Sequence, residues 1–153
     1  MRSDMAKLDA AAEQEKFERY LADMPFVVEP FVEQASAEGY VLDGTMESLD
    51  ILEEYLFNTR RKTEDERETL INRAARYYGE VVTDTYGGIW KLAIEDPNDI
   101  YYGLPIIVGH TSYNVELCPI QTIRRLLRRK IKGLLRQVVQ NERQPTRLDL
   151  TPE

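Results

Sequence analysis

His110 and Cys118 are the only histidine and the only cysteine of the chain, so a nucleophilic Cys–His pair is the first chemistry to consider. The thiolate is the reactive form, and Cys118 precedes a predicted helix N-terminus whose dipole could lower its pKa. Residues 104–108 and 113–118 are predicted to form the two strands of a hairpin. His110 would lie at the turn of this hairpin and Cys118 along its second strand, roughly 20 Å away. Because proton transfer requires contact near about 3 Å, the sequence predicts a buried structural cysteine rather than a catalytic pair.

Glu80 is the second candidate, because it lies in a helical stretch whose neighbours are apolar or aromatic. In one interpretation it is a partly buried carboxylate with a raised pKa that faces a possible pocket with Trp90 and Tyr78. The favoured alternative is structural: an ion pair with Arg76, or an acceptor for backbone donors of the following strand. The preceding Gly79 costs about 1 kcal/mol relative to alanine in a helix, which predicts that another element packs closely there.

Metal and phosphate sites are not predicted. The carboxylates of Asp96 and Asp99 lie in a Pro-Asn loop that lacks the ligand pattern of a calcium-binding loop. Gly87 and Gly88 end a helix and precede a strand, whereas a phosphate-binding loop precedes a helix. We therefore predict no catalytic residues, no metal site and no cofactor, and expect that the chain is not an enzyme.

The strongest surface signal is cationic. Seven lysines and arginines lie between residues 124 and 136 with no acidic residue among them. Their side chains could form a solvated or internally compensated face, dock an acidic protein, bind nucleic acid through phosphates, or rest on anionic lipid. No aromatic residue interleaves the cations for base stacking, so nucleic acid is not favoured. The residues predicted as a possible interaction surface are Arg124, Arg125, Arg128, Arg129, Lys132 and Arg136.

Charge and composition bound the remaining possibilities. The 153 residues carry a formal net charge of −7, distributed as −10 over residues 1–59, −3 over 60–119 and +6 over 120–153. The single cysteine excludes an internal disulfide framework, and no apolar run is long enough for a membrane span. Without a secretory signal pattern at the N-terminus, we expect a cytoplasmic protein. A net charge of −7 by itself argues against nucleic-acid binding. The basic C-terminal segment weakens that argument.

The pattern of apolar residues and turn signals predicts an α+β fold. We expect N-terminal helices, a small antiparallel sheet of three or four strands, and a long amphipathic C-terminal helix. One domain would span residues 1–143, followed by a tail at 144–153. The predicted helices are 4–23, 30–38, 46–58, 64–86 and 120–141, and the predicted strands are 89–94, 104–108 and 113–118.

Residues 40–92 carry a recurring combination of motifs: a Ser-Leu-x-x-Leu helix, an aromatic-Gly-Glu-Val segment, and Gly-Gly-x-Trp. The matching positions are Asp43, Ser48, Leu49, Leu52, Tyr78, Gly79, Glu80, Val81, Gly87, Gly88 and Trp90. This combination resembles an uncharacterised group of bacterial domains of unknown function. The resemblance implies a small cytoplasmic α+β protein, in some members an immunity or accessory protein near a secreted toxin, and it assigns no catalytic residue.

The leading functional prediction is a non-enzymatic bacterial protein-binding domain, such as a toxin-immunity or accessory protein. One alternative is a small-ligand binder or enzyme that uses the pocket around Glu80 and Trp90. Another is a nucleic-acid adaptor that uses the basic C-terminal helix. The sequence leaves the identity of the partner and the oligomeric state open.

Overall fold

The computed structural model describes residues 9–60 and 63–144. These residues form six helices and a two-stranded sheet, which confirms the α+β class. The predicted start of the first helix before residue 9 and the tail beyond residue 144 lie outside the described residues. The elements are α1 (Ala10–Ala22), α2 (Met24–Ala37), α3 (Ser48–Asn58), α4 (Glu64–Tyr86), β1 (Ile89–Leu92), β2 (Pro105–Val108), α5 (Pro119–Arg129) and α6 (Leu134–Arg143).

The longest helix, α4, forms the centre of the fold and has the bounds that the sequence predicts. Thr63 and Glu66 form a reciprocal capping box at its N-terminus, so two backbone donors that lack helical partners are satisfied. Gly87, with a φ of +83°, ends the helix in a conformation that favours glycine. The helix buries side chains against both α2 and α5, including Ile71, Tyr78 and Val82.

Helix α2 is longer than the predicted helix over 30–38, since it begins at Met24. Pro25 lies in the first turn, where a missing N–H has no helical acceptor to lose. Pro30 lies inside the helix and leaves the carbonyl four residues earlier without its usual donor. That carbonyl belongs to Phe26, which is 79% exposed, so water can replace the lost partner. The buried Phe31 and Ala35 anchor the helix to the core despite Pro30.

The sheet is smaller than expected, because only β1 and β2 form strands in the described part of the chain. They pair antiparallel with Trp90 opposite Ile107. The predicted strand over 113–118 is reduced to one bridge, in which Leu117 exchanges backbone hydrogen bonds of 2.8 and 3.0 Å with Ile107. Pro119 begins α5 two residues later, so the chain leaves the sheet before a third strand can extend. The prediction of three or four strands is therefore wrong.

The predicted long C-terminal helix is also wrong, because α5 and α6 are separate helices. Lys130 adopts a left-handed conformation with a φ of +56°, and Gly133 has a φ of +86°. The buried carboxylate of Glu53 then accepts hydrogen bonds from the N–H groups of Gly133 (2.7 Å) and Leu135 (3.0 Å). Because Glu53 of α3 satisfies backbone donors at the start of α6, a new helix start here competes with continuation of α5.

Replacing Lys130 with glycine is expected to stabilise the protein by about 1 kcal/mol relative to Lys130→Ala, because a left-handed conformation is unfavourable for any residue with a Cβ. Both variants remove the same charge, so their difference isolates the backbone. Urea unfolding of the two variants measures it. Equal unfolding free energies would contradict a left-handed Lys130.

Candidate interaction surface

Two of the predicted surface cations are paired with carboxylates of this chain. Arg124 of α5 donates to Glu68 of α4 at 2.7 Å, and Arg136 of α6 donates to Asp50 of α3 at 2.9 Å. Both pairs are partly exposed to solvent, so each contributes at most about 1 kcal/mol to stability. These two arginines join neighbouring helices of the fold.

The other cations of this stretch face solvent. Five exposed side chains form no ion pair within the described residues: Arg125, Arg128, Arg129, Lys130 and Lys132. We refer to these five residues as the cationic surface. Leu126 and Leu127 are buried on the other side of α5, so packing of the apolar face turns the cations outward.

A cleft of about 310 Å³ lies between α5 and the loop that follows β1. Arg125 and Arg128 form its helical side, and Ile100 and Tyr101 belong to the loop. Gln121 and Thr122 complete the lining. The cleft therefore combines two guanidinium groups of the cationic surface with an aliphatic side chain.

The polar groups of the cleft are mainly donors. The hydroxyl of Thr122 already donates to the Cys118 carbonyl at 3.0 Å, so its oxygen is left as an acceptor. Burial, together with nearby Cys118 and Glu142, raises the pKa of Tyr101 above its usual range, and the phenol is a protonated donor at neutral pH. With Arg125 and Arg128, this arrangement favours an acceptor ligand such as a carboxylate or phosphate.

Glu80 and Trp90 do come together, as a hydrogen-bonded pair between α4 and β1. The indole Nε1 donates to Oε2 of Glu80 at 2.9 Å. Arg76, the predicted ion-pair partner, donates instead to Asn72 (2.9 Å) and to the carbonyl of Tyr20 (2.8 Å). Tyr78 is fully buried and donates to the Leu135 carbonyl at 2.8 Å, so its hydroxyl serves the contact with α6.

Because Glu80 accepts from the indole, Glu80→Gln is expected to retain most of the stability, whereas Glu80→Leu is expected to lose about 1 kcal/mol. The glutamine keeps a side-chain oxygen for the Trp90 N–H, and leucine has none. Thermal unfolding at neutral pH compares the variants. A loss of the same size for both would show that the carboxylate charge, not the acceptor, is what matters.

His110 and Cys118 are both buried and have different partners. Nε2 of His110 lies 2.7 Å from Oε1 of Glu142, and Nδ1 has no hydrogen-bond partner among the described residues. The Cys118 thiol lies 3.7 Å from the Pro105 carbonyl, to which it donates, and burial raises its pKa to about 11. A neutral thiol is a poor nucleophile at neutral pH, and the hydrogen-bond partner of His110 is Glu142 rather than Cys118.

Within residues 9–60 and 63–144, no group of three or more histidine, cysteine, aspartate or glutamate side chains could hold a metal ion. The helices of the same residues include none with the length and hydropathy needed to cross a membrane.

Sequence reasoning missed two features that depend on tertiary structure. Ile100 and Tyr101 lie between the predicted strands 89–94 and 104–108, and no sequence signal places them beside Arg125. A larger cleft of about 570 Å³ also escaped prediction. It lies between α2, α3 and α4 and carries groups of both signs, including Glu38, Arg60, Asp65 and Arg73.

Neither the family models, nor the curated proteins, nor the solved structures include a match to this chain.

Proposed function

We propose that the protein is a non-enzymatic protein-binding domain that docks an acidic protein on its cationic surface. The observation that carries the proposal is the division of the C-terminal cations. Arg124 and Arg136 are satisfied by Glu68 and Asp50, whereas the five residues of the cationic surface have no acidic partner in the described residues. Unpaired like charges repel one another, and an acidic partner would relieve that repulsion.

The side chains around these cations suit a protein partner. Ile100 is 82% exposed at the cleft and Ile131 is 43% exposed between Lys130 and Lys132. Protein interfaces combine apolar contacts with arginine, whereas base stacking requires aromatic platforms.

The resemblance of residues 40–92 to uncharacterised bacterial domains implies an accessory or toxin-immunity role, of which the accessory role is the form that fits docking on the cationic surface. The two roles differ in the surface they would use. An accessory protein would dock its partner on the cationic surface, whereas an immunity protein that blocks a basic toxin site would use acidic residues. Helix α1 presents such residues, including Glu15 and Glu18.

Photocrosslinking in bacterial cells that express this chain with its neighbouring genes tests the proposal. A photoreactive residue replaces Arg129 in one variant and the exposed Glu18 of α1 in another. We expect the crosslink from position 129 to an acidic protein, and its loss when Arg125→Gln and Arg128→Gln are added. Crosslinks formed only from position 18, or formed to nucleic acid, would overturn the use of the cationic surface by a protein.

A nucleic-acid adaptor is the second candidate, because the same unpaired cations could neutralise phosphates. Its signature is binding whose affinity falls steeply with salt, and it would be excluded by the absence of binding at low salt. In the described part of the chain, the polar groups predicted to form the pocket of the small-ligand or enzyme alternative are engaged within the fold. The Glu80 carboxylate is engaged by Trp90, and the Tyr78 hydroxyl is engaged by the Leu135 carbonyl.

A further inference from the structure

We infer that the cleft between α5 and the loop at Ile100 binds an extended acidic segment of the partner. A carboxylate of that segment would lie at Arg125 and Arg128, and an aliphatic side chain would contact Ile100. This inference rests on the proposed function, because it names the part of the cationic surface that selects the partner and the chemistry it selects.

The spacing of the two arginines supports a carboxylate ligand. Arg125 and Arg128 are three residues apart on one helix, so their side chains are neighbours on its surface, about 5–6 Å apart at Cβ. Both line the cleft, and neither has an acidic partner among the described residues. A guanidinium group binds a carboxylate through two parallel hydrogen bonds. The pair can therefore hold one carboxylate between them, or two carboxylates from alternate residues of an extended chain.

Ile100 supplies the apolar half of the recognition. It is 82% exposed, more than any other large apolar side chain in the described residues. The loop around it is ordered by local hydrogen bonds, since Asp99 accepts from the Tyr101 N–H at 2.9 Å and the Leu104 N–H bonds to the Tyr101 carbonyl at 2.9 Å. An exposed aliphatic group on an ordered loop beside two cations matches a segment that alternates acidic and aliphatic residues.

The surroundings limit how much negative charge the cleft can accept. Arg128 and Arg129 lie in the last turn of α5, where the helix dipole is negative and partly compensates their charge. Asp99 adjoins Ile100, and burial together with Asp99 raises the pKa of Glu116 nearby. A segment with a few carboxylates fits this field, whereas a densely charged phosphate chain would meet repulsion from the same carboxylates.

Fluorescence anisotropy tests the inference with a short labelled peptide of alternating glutamate and leucine. The comparison probes are the same peptide with glutamine for glutamate, the same peptide with serine for leucine, and a single-stranded oligonucleotide of equal charge. We expect the glutamate–leucine peptide to bind most tightly. Equal or tighter binding of the oligonucleotide, or of the glutamine peptide, would overturn the inference.

Three variants locate the site. Arg125→Gln/Arg128→Gln is expected to weaken binding of the glutamate–leucine peptide about tenfold or more, and Ile100→Ser about threefold to tenfold. The control Lys16→Gln/Arg19→Gln, which removes two exposed cations of α1, is expected to leave the affinity unchanged.

The same experiment separates this inference from the proposed function. If Arg129→Gln/Lys132→Gln weakens binding of the peptide as much as Arg125→Gln/Arg128→Gln does, the cationic surface binds acidic chains but the cleft does not select them. That result would overturn the inference. If no variant affects binding while the partner still crosslinks at position 129, the inference fails and the proposed function stands. If no variant affects peptide binding and no partner crosslinks at position 129, both the inference and the proposed function are overturned.

Discussion

Replacing Gly79 with alanine is expected to destabilise the protein by about 2 kcal/mol or more, since overpacking a filled core typically costs about 1–3 kcal/mol. On an exposed helix surface the same change would stabilise by about 1 kcal/mol. The added Cβ would overlap Cζ2 and Cη2 of the Trp90 indole and lie 3.1 Å from Cδ1 of Ile107. The indole cannot retreat freely, because its N–H is bonded to Glu80 and its ring meets Tyr20 edge-on at 5.5 Å.

A smaller side chain at position 90 provides the matched control. In the background Trp90→Leu, the change Gly79→Ala is expected to lose most of its penalty, because the group it overlaps is gone. Urea unfolding of the four proteins gives the coupling energy between the two positions. Independent effects of the two substitutions, or stabilisation by Gly79→Ala alone, would contradict close packing of Trp90 on α4.

Replacing Glu53 with alanine is the second large expected effect, a loss of about 2–4 kcal/mol. Glu53 is 3% exposed, and its carboxylate accepts from the N–H groups of Gly133 and Leu135 at the start of α6. Alanine would leave both donors without their acceptor and would leave space in a packed region. We expect α6 to loosen first, so hydrogen exchange at residues 134–139 should accelerate more than exchange in α4.

Glu53→Gln separates the charge of Glu53 from its acceptor role. Burial raises the pKa of Glu53 above its usual range, although the two backbone donors oppose that shift. As pH rises above the pKa of the unfolded chain, the unfolded state releases this proton first, so stability falls until the folded carboxyl has also ionised. The stability that the protonated Glu53 carboxyl contributes is therefore fully present below the pKa of this group in the unfolded chain. It is lost as pH rises through the pKa of the group in the folded protein.

Unfolding free energies of wild type and Glu53→Gln across the acidic to neutral range measure this contribution. We expect wild type to lose stability relative to Glu53→Gln as pH rises through the raised pKa. An opposite slope would show that the hydrogen bonds from Gly133 and Leu135 outweigh burial. If Glu53→Ala cost less than about 0.5 kcal/mol, the carboxylate would not be the cap of α6.

Local signals predicted the parts of the fold whose determinants are close in sequence. The capping box at Thr63 and the glycine at 87 define α4 within a few residues, and the structure has the same helix. Gly79 also carried information, because an unfavourable residue in a helix interior indicated the close approach that Trp90 makes. The break between α5 and α6 could not be predicted in this way, since the acceptor that caps α6 lies 80 residues away in sequence from Gly133.

For the candidate site too, the sequence predicts only the features whose determinants are close in sequence. The sequence shows the run of cations, and helical spacing predicts that they share the outer face of a helix. It does not show which of them are paired, because Glu68 and Asp50 belong to other helices 56 and 86 residues away. The cleft depends on where the loop at Ile100 docks, which apolar packing of Ile106 with Tyr101 and Leu104 determines.

Two double variants of equal charge test most directly whether the unpaired cations form the binding surface. Arg125→Gln/Arg128→Gln removes two cations that have no acidic partner in residues 9–60 and 63–144, and Arg124→Gln/Arg136→Gln removes the two that pair with Glu68 and Asp50. The measurement is the affinity of each variant for the partner protein that the crosslinking experiment identifies, at one fixed salt concentration. We predict a loss of about tenfold or more for the first and less than about threefold for the second. Equal losses would show that only overall charge matters, and a larger loss for Arg124→Gln/Arg136→Gln would contradict the proposed surface.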